Sequence, residues 1–190
     1  MIESGVIDLW FEIANTCFLK EETGSKILAL DLMSDLWIYY PGHVEESSDL
    51  SDLILTLLKK GTRDRSDLVV NSSIVLLFKL LDYFASVKNS FAPIMFKTLT
   101  FSCIENHANL GMRELFLRNF GELFNKFQSI PVNILLEPLI KQIQVGEKNY
   151  VINVFDMELL MICAEHAKMN IKMVILLFDL LIKVPTPSYF

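Results

Sequence analysis

Helical segments of similar length follow one another along this 190-residue chain at nearly even spacing. In almost every stretch, apolar residues recur at every third or fourth position, which is typical of helices with a buried face. Alternating strand patterns are nearly absent. The pattern predicts nine helices, near residues 3–19, 25–40, 48–60, 66–86, 90–107, 111–128, 131–145, 153–167 and 170–184.

Apolar stripes on these segments identify the side chains that we expect in the core. One stripe on the first helix consists of Leu9, Trp10, Ile13, Ala14 and Cys17. A second stripe, on the sixth helix, consists of Phe116, Phe120, Phe124 and Phe127. Both sets have helical spacing, so each is predicted to pack between helices.

Glycine and proline are scarce and fall mostly where helices are predicted to begin or end. Together they make up about 7% of the residues, against roughly 12% in an average protein, which argues against a β sandwich or a glycine-looped α/β enzyme. Pro41-Gly42 is predicted to form a break, and Gly61 a left-handed C-terminal cap. Ser47 or Ser48, and likewise Ser66, are predicted N-caps.

Two interleaved series of helices share a period of 40–45 residues. The second, fourth, sixth and eighth helices begin near 25, 66, 111 and 153, and the third, fifth, seventh and ninth near 48, 90, 131 and 170. Short sequence echoes keep this spacing: Leu57-Leu58-Lys59 returns as Leu139-Ile140-Lys141 and again as Leu181-Ile182-Lys183. Paired helices with this period are typical of α-solenoids.

On this period and pairing, residues 25–184 resemble the HEAT/armadillo class of α-solenoids. The resemblance implies an all-α fold, a right-handed α-solenoid of about four helical hairpins with an extended face that binds a partner protein. Residues 1–24 would be an extra N-terminal helix that caps the array or belongs to an upstream hairpin, and residues 185–190 a tail. A compact helical bundle is the structural alternative.

The second helix of each hairpin usually lines the inner face in the resembled class, and here that series carries the more positive charge. It holds six basic and five acidic residues, whereas the first series holds nine acidic and five basic. We therefore expect an acidic or amphipathic protein segment to bind the inner lysines, which are Lys59, Lys60, Lys97, Lys141, Lys172 and Lys183. Apolar solenoid ends can also pair two copies of the chain.

Cysteine and histidine residues form the one candidate for metal or catalytic chemistry. Cys103 and His107, and likewise Cys163 and His166, are spaced to share a helix face, so four ligands could surround zinc. We instead expect these cysteines and Cys17 to be buried, because free cysteine packs as a small hydrophobe. The sequence predicts no catalytic residue, cofactor or metal. An all-α metal-binding or enzymatic bundle is the alternative.

Charge and targeting signals narrow the class of protein further. The chain has 23 acidic and 17 basic residues, which disfavours general binding to nucleic acids. Its longest purely apolar runs have six residues, whereas a membrane span needs about 20. The N-terminus lacks the basic region of a signal peptide. We expect an intracellular, cytoplasmic scaffold that binds other proteins.

Overall fold

The computed structural model describes residues 4–87, 90–106, 109–127, 154–166 and 175. In these ranges the chain forms α-helices and no β-strand, so the all-α prediction is confirmed for the described residues. The helices are α1 (Ser4–Phe18), α2 (Thr23–Tyr39), α3 (Pro41–Glu46), α4 (Ser48–Gly61), α5 (Asp67–Val87), α6 (Ala92–Glu105), α7 (Leu110–Lys126) and α8 (Val154–His166). The helix predicted at 131–145 and the tail at 185–190 lie outside the described residues, as does the helix at 170–184 apart from Ile175.

The predicted break at Pro41-Gly42 is confirmed, because α2 ends at Tyr39 and a new helix begins at Pro41, but the short helix α3 itself was not predicted. Pro41 is the first residue of α3, a position where its fixed φ and missing N–H suit a helix. Val44 of α3 is fully buried. The segment between α2 and α4 therefore contributes to the core.

Side-chain caps fix two of the helix starts. Ser47 Oγ accepts a hydrogen bond from the N–H of Leu50 at 3.4 Å, which confirms Ser47 as the N-cap of α4. Asn109 caps α7 in the same way. Ser66 stands directly before α5, and its N–H donates to Asp64 Oδ1 at 3.0 Å.

The chain divides into two compact units, Met1–Met95 and Phe96–Phe190. In the first unit α2 packs against α1, α4 and α5. Trp37 of α2 is fully buried and makes edge-to-face contacts with Phe84, at 5.2 Å between ring centroids, and with Phe91, at 5.3 Å. Aromatic pairs of this geometry stabilise a core beyond the area they bury.

Gly61 allows α4 to approach its neighbours closely. The predicted left-handed cap is wrong: Gly61 is the last residue of α4, and Thr62 after it has right-handed helical dihedral angles. A Cβ added at Gly61 would overlap Ser73 Oγ of α5 and lie 3.2 Å from Leu30 Cδ1 of α2. Glycine is therefore required here by packing.

Helices α2 and α5 run in the same direction. Lys26 Nζ lies 2.7 Å from Asp64 Oδ2, close to where both helices begin. Further along both helices, Lys79 Nζ lies 2.6 Å from Asp35 Oδ1. The two ion pairs fix the register of one helix against the other.

Phenylalanine side chains form the described core of the second unit. Phe96 of α6 contacts Phe120 and Phe127, with centroid distances of 5.3 and 5.7 Å. Phe116 of α7 contacts Phe155 of α8 at 5.5 Å. The predicted core positions Phe116, Phe120 and Phe127 are all buried, which confirms that prediction for the stripe members whose side chains the structure describes.

Candidate protein-binding surfaces

The predicted lysine surface is only partly within the described residues. Lys59 and Lys60 are exposed in the last turn of α4, where positive charge suits the negative end of the helix dipole. Lys97 of α6 is half-buried and belongs to the second unit. The other three predicted positions lie outside the described residues, namely Lys141, Lys172 and Lys183.

Cys103, the predicted buried cysteine of α6, is fully buried, and burial raises the pKa of its thiol well above the ordinary value. Cys17 of α1 is half-buried. His107 and the side chains of Cys163 and His166 lie outside what the structure describes. Among the described side chains, no group of three or more His, Cys, Asp or Glu residues is placed to hold a metal ion.

Helix α5 is long and apolar enough to cross a membrane by length and composition, and among the described helices it alone meets that test. Half of its apolar window is buried in the protein, as in the core helix of a globular unit. Its buried residues include Leu77, Leu80 and Phe84. Other apolar side chains of α5, among them Leu68 and Val75, are exposed and line a groove on the surface.

A groove of about 290 Å³ lies between α2 and α5. On its rim Leu68 is 65% exposed and Val75 47% exposed. Leu28 of α2 is also strongly exposed. The groove is lined by Ile27, Asp31, Leu68, Asn71, Ser72, Val75 and Leu76.

One charged side chain lies in this apolar groove. Asp31 is exposed and is the one charged residue among those that line the groove. The neighbouring Asp35 carboxylate accepts a hydrogen bond from Lys79, which raises the pKa of Lys79, and Lys79 also interacts electrostatically with Asp31. The groove thus combines apolar walls with one carboxylate.

The outer face of α1 is the second exposed apolar surface of the first unit. The prediction that Leu9, Trp10 and Ile13 are core residues is wrong, since all three are exposed. The core face of α1 instead comprises Ile7, Phe11, Ala14 and Phe18. Helix α1 is therefore apolar on two adjoining faces, of which the neighbouring helices cover one.

Helix α4 contrasts with α1, α2 and α5. Its exposed residues are all polar or charged, namely Ser48, Asp49, Asp52, Thr56, Lys59 and Lys60. In the first unit, α1, α2 and α5 therefore expose large apolar side chains, whereas α4 exposes none.

Sequence patterns alone did not reveal the groove. A signal was present in α5, because Leu68 and Val75 make this helix apolar around most of its circumference, and such a helix requires a partner on more than one side.

Comparison with protein-family models, with curated proteins and with solved structures finds no match for this chain.

Proposed function

We propose that this protein is a noncatalytic protein-interaction scaffold built from stacked helical hairpins of the HEAT/armadillo kind. The observation that carries the proposal is the groove between α2 and α5, with Leu68 and Val75 exposed on its rim. Apolar surface kept in contact with water costs about 25 cal/mol per Å² relative to burial. A partner that covers this surface recovers that free energy.

Contacts between first-series helices support the hairpin arrangement. In the first unit, Lys26 pairs with Asp64 over 38 residues and Lys79 with Asp35 over 44 residues. In the second unit, Arg113 Nη2 of α7 lies 3.0 Å from Glu158 Oε2 of α8, over 45 residues. In a solenoid, equivalent helices of adjacent hairpins lie side by side, so contacts separated by about one repeat are expected.

Site-specific photo-crosslinking tests the proposal. A photoreactive phenylalanine analogue at Val75 lies on the groove, and the same analogue at exposed Glu46 of α3, at the opposite end of α4 from Lys59 and Lys60, is the matched control. In cells that produce the protein, we expect position 75 to form adducts with one or a few proteins and position 46 to form none of them. The absence of protein adducts at position 75, or the same adducts from both positions, would refute the proposal.

The lysine surface is proposed as a second contact region, for an acidic or amphipathic segment. The exposure of Lys59 and Lys60, next to each other at the end of α4, supports it. Reversing both charges (Lys59→Glu and Lys60→Glu) should weaken capture of a partner identified by crosslinking. Unchanged capture would remove this surface from the interface and leave the groove as the contact region.

A further inference from the structure

We infer that the groove between α2 and α5 accepts a basic amphipathic helix of a partner protein. Apolar side chains of that helix fill the groove, and a lysine or arginine on its flank binds the exposed Asp31 carboxylate. The inference rests on the proposed function. It goes further by specifying the secondary structure and the sign of the charge of the partner.

The size of the groove favours a helix over a small molecule. Its volume of about 290 Å³ is at the bottom of the range of roughly 300–1,000 Å³ for small-molecule pockets, and the exposure of Leu68 and Val75 makes it shallow. These two residues are two helical turns apart, about 10 Å along α5. A partner helix with apolar residues at positions i, i+4 and i+7 matches that length.

The charge beside the groove determines the charge of the partner. Lys79 forms an ion pair with Asp35 and also interacts electrostatically with Asp31. The two carboxylates therefore share one ammonium group, which leaves one net negative charge beside the groove, and Asp31 is the charged residue of the groove lining. A guanidinium or ammonium group supplies both positive charge and N–H donors.

The net charge of the chain also favours a basic partner. With a formal net charge of −6, the protein attracts a basic segment at long range. A second copy of the chain carries the same −6, and an anionic membrane surface is also negative, so electrostatic repulsion opposes both. A basic amphipathic helix is the occupant that matches both the apolar walls and the Asp31 carboxylate.

Selection from a displayed library of 20-residue helical peptides tests the inference. The wild-type protein is the bait, and the Val75→Gln protein, checked for folding by circular dichroism, is used for counter-selection because it removes the apolar contact without adding charge. We expect the enriched peptides to combine an apolar stripe with net positive charge. In fluorescence anisotropy, a selected peptide should bind the Val75→Gln protein about tenfold more weakly than wild type.

Two further variants separate the charge contact from the apolar contact. Asp31→Asn should weaken binding several-fold and reduce its dependence on salt, because one ion pair is lost. Thr56→Gln introduces the same side chain as Val75→Gln on exposed α4, away from the groove lining, and should leave binding unchanged.

Three outcomes would overturn the inference: groove-dependent peptides of neutral or negative charge, no enrichment that depends on Val75, or full affinity of the Asp31→Asn protein. The crosslinking experiment keeps the two proposals distinguishable. Adducts at position 75 combined with failed selection of basic helices would leave the scaffold function standing. Selection of basic helices without cellular adducts would support the charge preference of the groove and contradict the scaffold role.

Discussion

Replacing Gly61 with alanine tests how closely α4 approaches the rest of the first unit. The added Cβ would overlap Ser73 Oγ and lie 3.3 Å from Ser73 Cβ and 3.2 Å from Leu30 Cδ1. Ser73 is fully buried, and its Oγ donates to the carbonyl of Val69 at 2.7 Å. The hydroxyl can move only by giving up that hydrogen bond, and Leu30 is equally enclosed.

The expected cost of the substitution follows from two opposing effects. Overpacking a buried site costs about 1–3 kcal/mol. Replacing glycine by alanine inside a helix returns up to about 1 kcal/mol, and less at the last residue of α4. The Gly61→Ala protein should therefore be about 1–2 kcal/mol less stable, which corresponds to a Tm lower by roughly 4–16 °C for a unit of this size.

Urea unfolding followed by circular dichroism measures this cost, with Gly42→Ala as the matched control. A Cβ at Gly42 of α3 meets nothing within 4 Å, so the control should stay within about 0.5 kcal/mol of wild type. Adding Ser73→Ala to Gly61→Ala removes the overlapping oxygen and should restore part of the lost stability. A Gly61→Ala protein as stable as the Gly42→Ala control would refute the close packing of α4 against α5.

Three further predictions concern single interactions. Ser47→Ala should lower the free energy of unfolding by about 1 kcal/mol in the same urea assay, because α4 loses its N-terminal acceptor. Burial alone would raise the pKa of Asp64, but its hydrogen bonds, first among them that from Lys26, lower it below the ordinary 3.8. The resulting stabilisation is complete above that value and is lost as the pH falls through the lower folded pKa, so Asp64→Asn should lose less stability than wild type on acidification from about pH 5 to about pH 2. A maleimide should label half-buried Cys17 before fully buried Cys103, as peptide mass spectrometry can show, and equal labelling in the folded protein would contradict the burial of Cys103.

Helix positions in the described residues could be predicted because their determinants are local. Apolar spacing and the Ser47 cap placed the start of α4 correctly. Pro41 was correctly predicted to follow the end of a helix, but proline also suits the first turn of a new helix, and α3 was missed. The formation of α3 depended on whether Val44 found a core to enter, which local spacing does not reveal.

Contacts between helices determine which face of a helix is buried and where glycine is required, and apolar spacing along the sequence does not reveal these contacts. On α1, the stripe containing Trp10 and the stripe containing Phe11 have similar helical spacing, and only the position of the neighbouring helices determines which one is buried. The same limit applies to Gly61, whose requirement for glycine arises from Ser73, twelve residues away on α5. Such long-range contacts leave no periodic trace in the sequence.

The sign of the electrostatic potential at a binding surface depends on which charges remain unpaired. A count of charges per helix does not distinguish unpaired charges from paired ones. The count treated Lys26 and Lys79 as part of the charge of the first helix series, but both are held in ion pairs between elements, with Asp64 and Asp35. Lys79 also interacts electrostatically with Asp31, so Asp31, Asp35 and Lys79 together leave one net negative charge beside the groove, with Asp31 in its lining. The apolar walls beside it then increase its effect, because a charge next to low-dielectric surface is screened less than one surrounded by water. One carboxylate can therefore determine the preferred partner charge at this groove, even though six lysines suggested the opposite preference for the second helix series.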